Sequence, residues 1–233
     1  MEPGETPELA GGDAPAECSL ADGTAGAGPS IGPNGGGALR VLLVYASRHG
    51  STVEVADAVA EELRAAGHEV DQRPAAEAPG PAGYDAVVVG GPMIMGWHRQ
   101  AVRYVTRNRV ELERLPTALF ITAASLTETG ETDVQGVPII KDPWLVKAPR
   151  DAAKLRRKER YALPQHYLGD VLKKAAPVRP RSVAFFAGSL DLTTMNIVEK
   201  LFVLLVVGAT PGDGRNWKVV RKWGAGLGEA LRA

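Results

Sequence analysis

The residues best suited to chemistry form one short string, Ser47-Arg48-His49-Gly50-Ser51-Thr52, which joins an apolar run to a helical pattern. Three short hydroxyl side chains, a glycine that permits a tight turn and a helix that begins at once are the parts of an anion seat. Exposed main-chain N–H groups, the positive end of a helix dipole and hydroxyl donors converge there, as holding a phosphate requires. Arg48 adds a charge and His49 an imidazole. Ser and Thr also cap helices in ordinary proteins, so the string has a plainer reading as well. Other phosphate loops do not fit it: it has neither the Gly-Lys-Ser/Thr ending of a nucleoside-triphosphate loop nor the Gly-x-Gly-x-x-Gly of a dinucleotide loop. The acids that a phospho-receiver domain needs after its first and third strands are missing too.

A second loop has the character of a ring site. Gly90-Gly91-Pro92-Met93-Ile94-Met95-Gly96-Trp97-His98 places Gly-rich turns around an apolar stretch, which suits a flat ring lying against backbone. Polarizable methionines pack well on an aromatic face. The plainer reading of Met93, Met95 and Trp97 is core or surface filler. A third wall is expected at Ala123-Ala124-Ser125-Leu126, which offers no aromatic side chain; Trp144, in the long insertion, could fold back over a ring, though nothing in the sequence demands it.

These loops need a rigid frame, and the flanking patterns supply one. Val41–Tyr45 and Asp85–Gly90 are short, nearly continuous apolar runs, as strands buried on both faces show. Ala118–Ala123 and Ser182–Ala187 read as further strands, and Glu69–Asp71 as a weak edge strand. Helical spacing over Val53–Ala66 ends at Gly67, a fitting C-cap. Further helices are expected over Arg99–Leu115, Gln165–Ala175, Met195–Val207 and Trp217–Leu231. Strands alternating with helices imply an α/β fold: a doubly wound, five-stranded parallel sheet of order 2-1-3-4-5, with ligands at the carboxyl ends of its first and third strands. A long insertion, residues 126–181, precedes the last strand; ordinary connections take about 2–6 residues, so it must hold elements of its own.

With those residues in view, the phosphate string resembles the flavin mononucleotide (FMN) loop of flavodoxins, roughly Ser/Thr-x-Thr-Gly-x-Thr after the first strand. Ser47, Gly50 and Thr52 match, and His49 replaces the middle Thr. The second loop is similar to the flavodoxin segment that lines one face of the flavin. The resemblance implies a flavodoxin-like fold over residues 40–233 and FMN contacts from Ser47, Arg48, His49, Gly50, Ser51 and Thr52. It implies further contacts from Gly91, Pro92, Met93, Met95, Gly96, Trp97, Ala124 and Ser125.

The cadence of Gly90–Ala101, the insertion and the ending Phe186–Trp217 resemble the menaquinone-dependent protoporphyrinogen oxidase branch of that family, which works in heme biosynthesis. That resemblance implies a flavin-dependent oxidoreductase with a tetrapyrrole precursor as donor, a quinone as acceptor, and no nucleic-acid partner. An electron-transfer flavoprotein and a flavin-free interaction module are the alternatives. Flavin performs the redox chemistry, so no catalytic acid or base is assigned.

Bulk properties set the bounds. The 233 residues suit one domain with an appendage. Formal net charge is zero, but residues 1–39 hold six acids and no Lys or Arg, leaving 27 basic against 21 acidic residues in the remainder. That Gly/Pro/Ala-rich acidic stretch reads as a disordered tail. One cysteine, Cys18, excludes an intrachain disulfide or thiolate cluster. The pattern suits the cytoplasm, with peripheral contact at the inner face of the membrane through Lys154–Arg160 and the apolar Ile197–Ala209 helix.

Overall fold

The computed structural model describes residues 37–48, 50–94, 96–190 and 212–233. Most of the acidic tail, His49, Met95 and the helices expected over Met195–Val207 and Ile197–Ala209 therefore lie outside the described residues.

Four apolar runs make the centre of a sheet because neither face of any of them meets water. They are β1 (Arg40–Tyr45), β3 (Ala86–Pro92), β4 (Thr117–Ala123) and β9 (Ser182–Ala187); every residue of the last three is buried. The half-exposed β2 (Glu69–Pro74) forms one edge. Pairing is parallel throughout, β2 to β1, β1 to β3, β3 to β4 and β4 to β9, which is the expected 2-1-3-4-5 order.

The sheet does not stop at five strands. The insertion folds into β5 (Leu126–Thr127), β6 (Asp133–Val134), β7 (Val137–Lys141), β8 (Val146–Lys147), α4 (Arg157–Tyr161) and α5 (Pro164–Ala175). β7 pairs parallel with β9, and β6 adds antiparallel to β7, giving a seven-stranded sheet. The alternating burial of β7 shows one face turned to water, and the strand occupies main-chain groups that β9 would otherwise leave open.

Helices cover both faces. On one side α1 (Ser51–Ala65) and α6 (Trp217–Arg232) bury Val55, Val59, Leu63, Val220, Trp223 and Leu227. On the other, Tyr104, Leu112, Tyr167 and Leu168 come from α2 (Arg99–Arg107), α3 (Arg109–Arg114) and α5. The single helix expected over Arg99–Leu115 is broken at Asn108, whose Nδ2 donates to the Tyr104 carbonyl at 2.9 Å. A side-chain amide competing for the helix's own acceptor is a common cause of such a break. Gly90 marks the tightest point of the sheet, since a Cβ there would run into the buried Phe120 ring.

Asp142 ties the insertion to the frame. Its fully buried carboxylate accepts the Trp144 N–H (3.0 Å) and Asn216 Nδ2 (3.1 Å) on one oxygen, and the Ala187 N–H (3.2 Å) on the other. One side chain thus joins the turn after β7, the end of β9 and the start of α6.

Candidate functional site

The phosphate string and the ring loop leave adjacent parallel strands at the same edge of the sheet, and the Ala46 N–H donates to the Gly90 carbonyl at 2.9 Å. The turn into α1 rests on Gly50, whose φ of 87° is left-handed and strained for any other L-residue. A Cβ there would meet nothing, so the turn itself, rather than crowding, calls for glycine. The Gly50 N–H donates to Ser47 Oγ at 3.0 Å, and the Val53 N–H to the Gly50 carbonyl at 2.8 Å.

Among the described residues this corner is open. Arg48 and Gly50 are exposed, and Ser47 and Ser51 half-buried. Among the described residues no side chain caps the N-terminus of α1. Helix geometry gives the first-turn N–H groups, those of Ser51 and Thr52, no carbonyl one turn back. An uncapped positive dipole end with a free approach fits an anion. Glu54 in the first turn works against it, but its carboxylate is paired with Arg215 at 2.8 Å.

Thr52 departs from the reading of its side chain as a phosphate donor. It is 1% exposed, and its hydroxyl hydrogen-bonds that of Thr122 on β4 at 3.0 Å. What it leaves at the corner is its main-chain N–H.

The ring loop closes on itself. The Met93 N–H donates to the Thr122 carbonyl (2.8 Å), the Ile94 N–H to Gly96 (3.2 Å) and the His98 N–H to Pro92 (3.1 Å). Gly91 and Pro92 are buried within β3. Met93 and Trp97 sit in the core on the α2 and α5 side, and the indole N–H of Trp97 donates to the Gly91 carbonyl at 3.1 Å. They support the loop from beneath and border a groove of about 470 Å³ shared with Arg99, Arg103, His166 and Lys174.

His98 Nδ1 accepts the Gln100 N–H at the start of α2. Burial, and then the charge of Arg48, hold its pKa below the usual imidazole value. The Arg48 effect places the two loops within electrostatic reach of each other.

At the end of β4, Ala124 and Ser125 are half-buried, and two tyrosines of the insertion pack beside them. Tyr167 donates its hydroxyl to the Ser125 carbonyl at 3.3 Å. Tyr161 packs edge-on against it, with ring centres 5.8 Å apart. Burial pushes both phenol pKa values up, so both rings stay neutral. The Tyr161 hydroxyl is buried beside the Gly96 main chain and completes no hydrogen bond among the described residues. Trp144 does not take this place; it is 67% exposed.

The chain's ending backs the site. β10 (Ser189–Leu190) pairs antiparallel with β11 (Gly212–Asp213). Asp213 holds Arg215 through two contacts of 2.8 and 2.7 Å, and the guanidinium lies 4.7 Å over the Trp217 ring while reaching Glu54 on α1. The structure thus brings Ser47, Arg48, Gly50, Ser51, the Thr52 main chain, the 90–98 loop and Ala124–Ser125 to one edge; His49 and Met95 lie outside the described residues. Tyr161, Tyr167 and Arg215 escaped the sequence reading of the site, because nothing in an insertion's own residues says which loop it will cover.

The sequence pattern of the flavodoxin domain matches residues 42–215. No curated protein matches the chain. Among solved structures, the two-electron reduced flavodoxin of Megasphaera elsdenii is 15% identical, covering 62% of this chain and 84% of its own, with a TM-score of 0.41. Oxidised Flavodoxin 1 from Bacillus cereus is 12% identical, covering 82% and 97%, with a TM-score of 0.44. Rubredoxin oxygen:oxidoreductase from Desulfovibrio gigas is 12% identical, covering 83% of this chain but only 36% of its own, with a TM-score of 0.42.

Proposed function

This chain belongs to the flavodoxin domain family, and from that premise we propose that it holds FMN at the carboxyl edge of its sheet and passes electrons through it. The observation that carries this reading is the open, uncapped start of α1 beside a glycine-turned loop, next to the ring loop on the neighbouring strand. The main-chain N–H groups of Ser51 and Thr52 and the Ser47 hydroxyl would take the phosphate. The 92–97 loop and Ala124–Ser125 would flank the ring. Bound flavin supplies the electron-transfer chemistry; the protein supplies binding, orientation and electrostatics. Met93 and Trp97 stiffen the ring loop from below, and neutral His98 caps the helix behind it without adding charge.

Within this reading, oxidation of protoporphyrinogen with a quinone as acceptor is the more specific function. Its support is the sequence resemblance of Gly90–Ala101 and Phe186–Trp217, together with the groove beside the ring loop. Arg99, Arg103 and Lys174 give that groove a positive character suited to carboxylate groups, and Met93, Trp97 and the two tyrosines give it apolar walls.

The test has two stages. The purified chain should show a flavin spectrum and release FMN on heating; a colourless protein that ignores added FMN contradicts the whole reading. Flavin-loaded protein should then oxidise protoporphyrinogen only when a quinone is supplied. A loaded protein that leaves protoporphyrinogen untouched removes the substrate and keeps the flavin.

A further inference from the structure

The insertion carries an exposed indole and a run of basic side chains that are not among the proposed flavin contacts. Trp144 is 67% exposed, more than Val110 (53%) and Ile140 (42%), the other large apolar side chains exposed among the described residues. Its turn is firmly held: the Trp144 N–H donates to the Asp142 carboxylate, the Leu145 N–H donates to the Asp142 carbonyl at 3.0 Å, and Leu145 is buried. A rigid turn therefore presents an indole to solvent.

Immediately behind it, residues 147–160 hold seven Lys and Arg against two acids, Asp151 and Glu159. All seven are exposed. Both carboxylates are committed to main-chain N–H groups: Asp151 to Ala153 at 2.9 Å, Glu159 to Arg150 at 3.0 Å and to Arg156 at 2.6 Å. These bonds shape the segment, so that Lys147, Arg150, Arg156 and Lys158 surround a groove of about 260 Å³. None of the seven cations forms an ion pair among the described residues, whereas Arg215 and Arg221 on the α1 and α6 side do. Residues 147–160, which follow the exposed tryptophan in the chain, thus carry a net charge of +5.

We infer that the Trp144 turn and the basic segment behind it dock the protein on a membrane surface rich in anionic lipid. An indole is amphipathic and settles at headgroup depth. Each Lys or Arg held near an anionic surface strengthens binding about fivefold. A protein partner matches the surface less well. A stable interface buries about 800 Å² per partner around an apolar centre, and the exposed apolar side chains of this segment are Trp144 and the partly covered Ile140. A bilayer needs no such centre.

The full chain, mixed with phosphatidylcholine vesicles with or without phosphatidylglycerol, provides the test. Co-sedimentation is expected only with the anionic vesicles, and added salt should weaken it. Tryptophan emission should shift to the blue on binding, and Trp144→Ala should abolish the shift. Alanine at Lys147, Arg150, Arg156 and Lys158 should each weaken binding about fivefold, while Arg156→Lys retains it. Unchanged thermal unfolding of these surface variants would show that the fold is intact. Equal binding to neutral vesicles, no binding to anionic ones, or a quadruple alanine variant that binds as the parent does would overturn the inference. So would retention on immobilised polyglutamate without vesicle binding, which would identify an acidic protein as the partner. None of these readouts involves flavin, so their failure leaves the cofactor reading untouched.

Discussion

Replacing Thr122 with valine should destabilise the flavin-free protein by about 1–3 kcal/mol, because it strands a buried hydroxyl. Thr52 and Thr122 are 1% and 3% exposed, and each supplies the other's hydroxyl partner across 3.0 Å. Valine keeps the shape of threonine and removes the partner, so the Thr52 oxygen pays its full desolvation cost. For a domain of this size that corresponds to a fall in Tm of about 2–12 °C. The double variant Thr52→Val with Thr122→Val removes both polar atoms and should return close to the parent, with a coupling of about 1–2 kcal/mol in the cycle. Urea unfolding of parent, both single variants and the double variant measures all four corners. Added FMN should raise the Tm of the parent and of Thr122→Val equally if the Thr52 hydroxyl stays on Thr122. A Thr122→Val protein within about 0.5 kcal/mol of the parent, or additive single effects, would refute the pairing and return the Thr52 hydroxyl to the corner.

Two further outcomes follow from the packing. Gly90→Ala should lower stability by about 3 kcal/mol or more, since its methyl group would collide with the buried Phe120 ring in an overpacked core; adding Phe120→Leu should recover part of the loss, and thermal unfolding of both variants decides it. His68 should make the fold acid-sensitive. Burial and the nearby Arg232 hold its pKa below the free value, and its Nδ1 accepts the Leu39 N–H. The unfolded chain therefore binds a proton that the folded chain refuses, so this contribution is complete above about pH 6.5 and is lost as the pH falls below it. His68→Gln should flatten that part of the stability profile; an unchanged slope would exclude His68 as its source.

The frame was legible in the sequence because burial on both faces writes itself as continuous apolar runs: Val41–Tyr45, Val87–Val89 and Val183–Phe186 admit few other readings. The parallel order followed from the alternation of strands and helices. The insertion was less legible. Val137-Pro-Ile-Ile-Lys141 is a short alternating segment, and its place beside β9 depends on a sheet edge that local pattern does not reveal. The break at Asn108 turns on a side-chain hydrogen bond, not on hydrophobic period.

At the site, glycine and hydroxyl residues marked the loops, but side-chain direction stayed hidden. Thr52 faces Thr122, and Trp97 faces the core, each because a neighbouring strand offers a buried polar partner. Asp142 showed least of all. As an acid beside a proline it reads as an exposed turn, yet it is fully buried and joins three elements.

The phosphate seat can be tested most directly by titrating the flavin-free chain with FMN and with riboflavin, following the quenching of flavin fluorescence. The two ligands share the ring and differ in the phosphate. If the Ser47–Thr52 corner holds that group, FMN should bind at least about a hundredfold more tightly, a difference of about 3 kcal/mol. Equal affinities, or no binding of either ligand, would contradict the account.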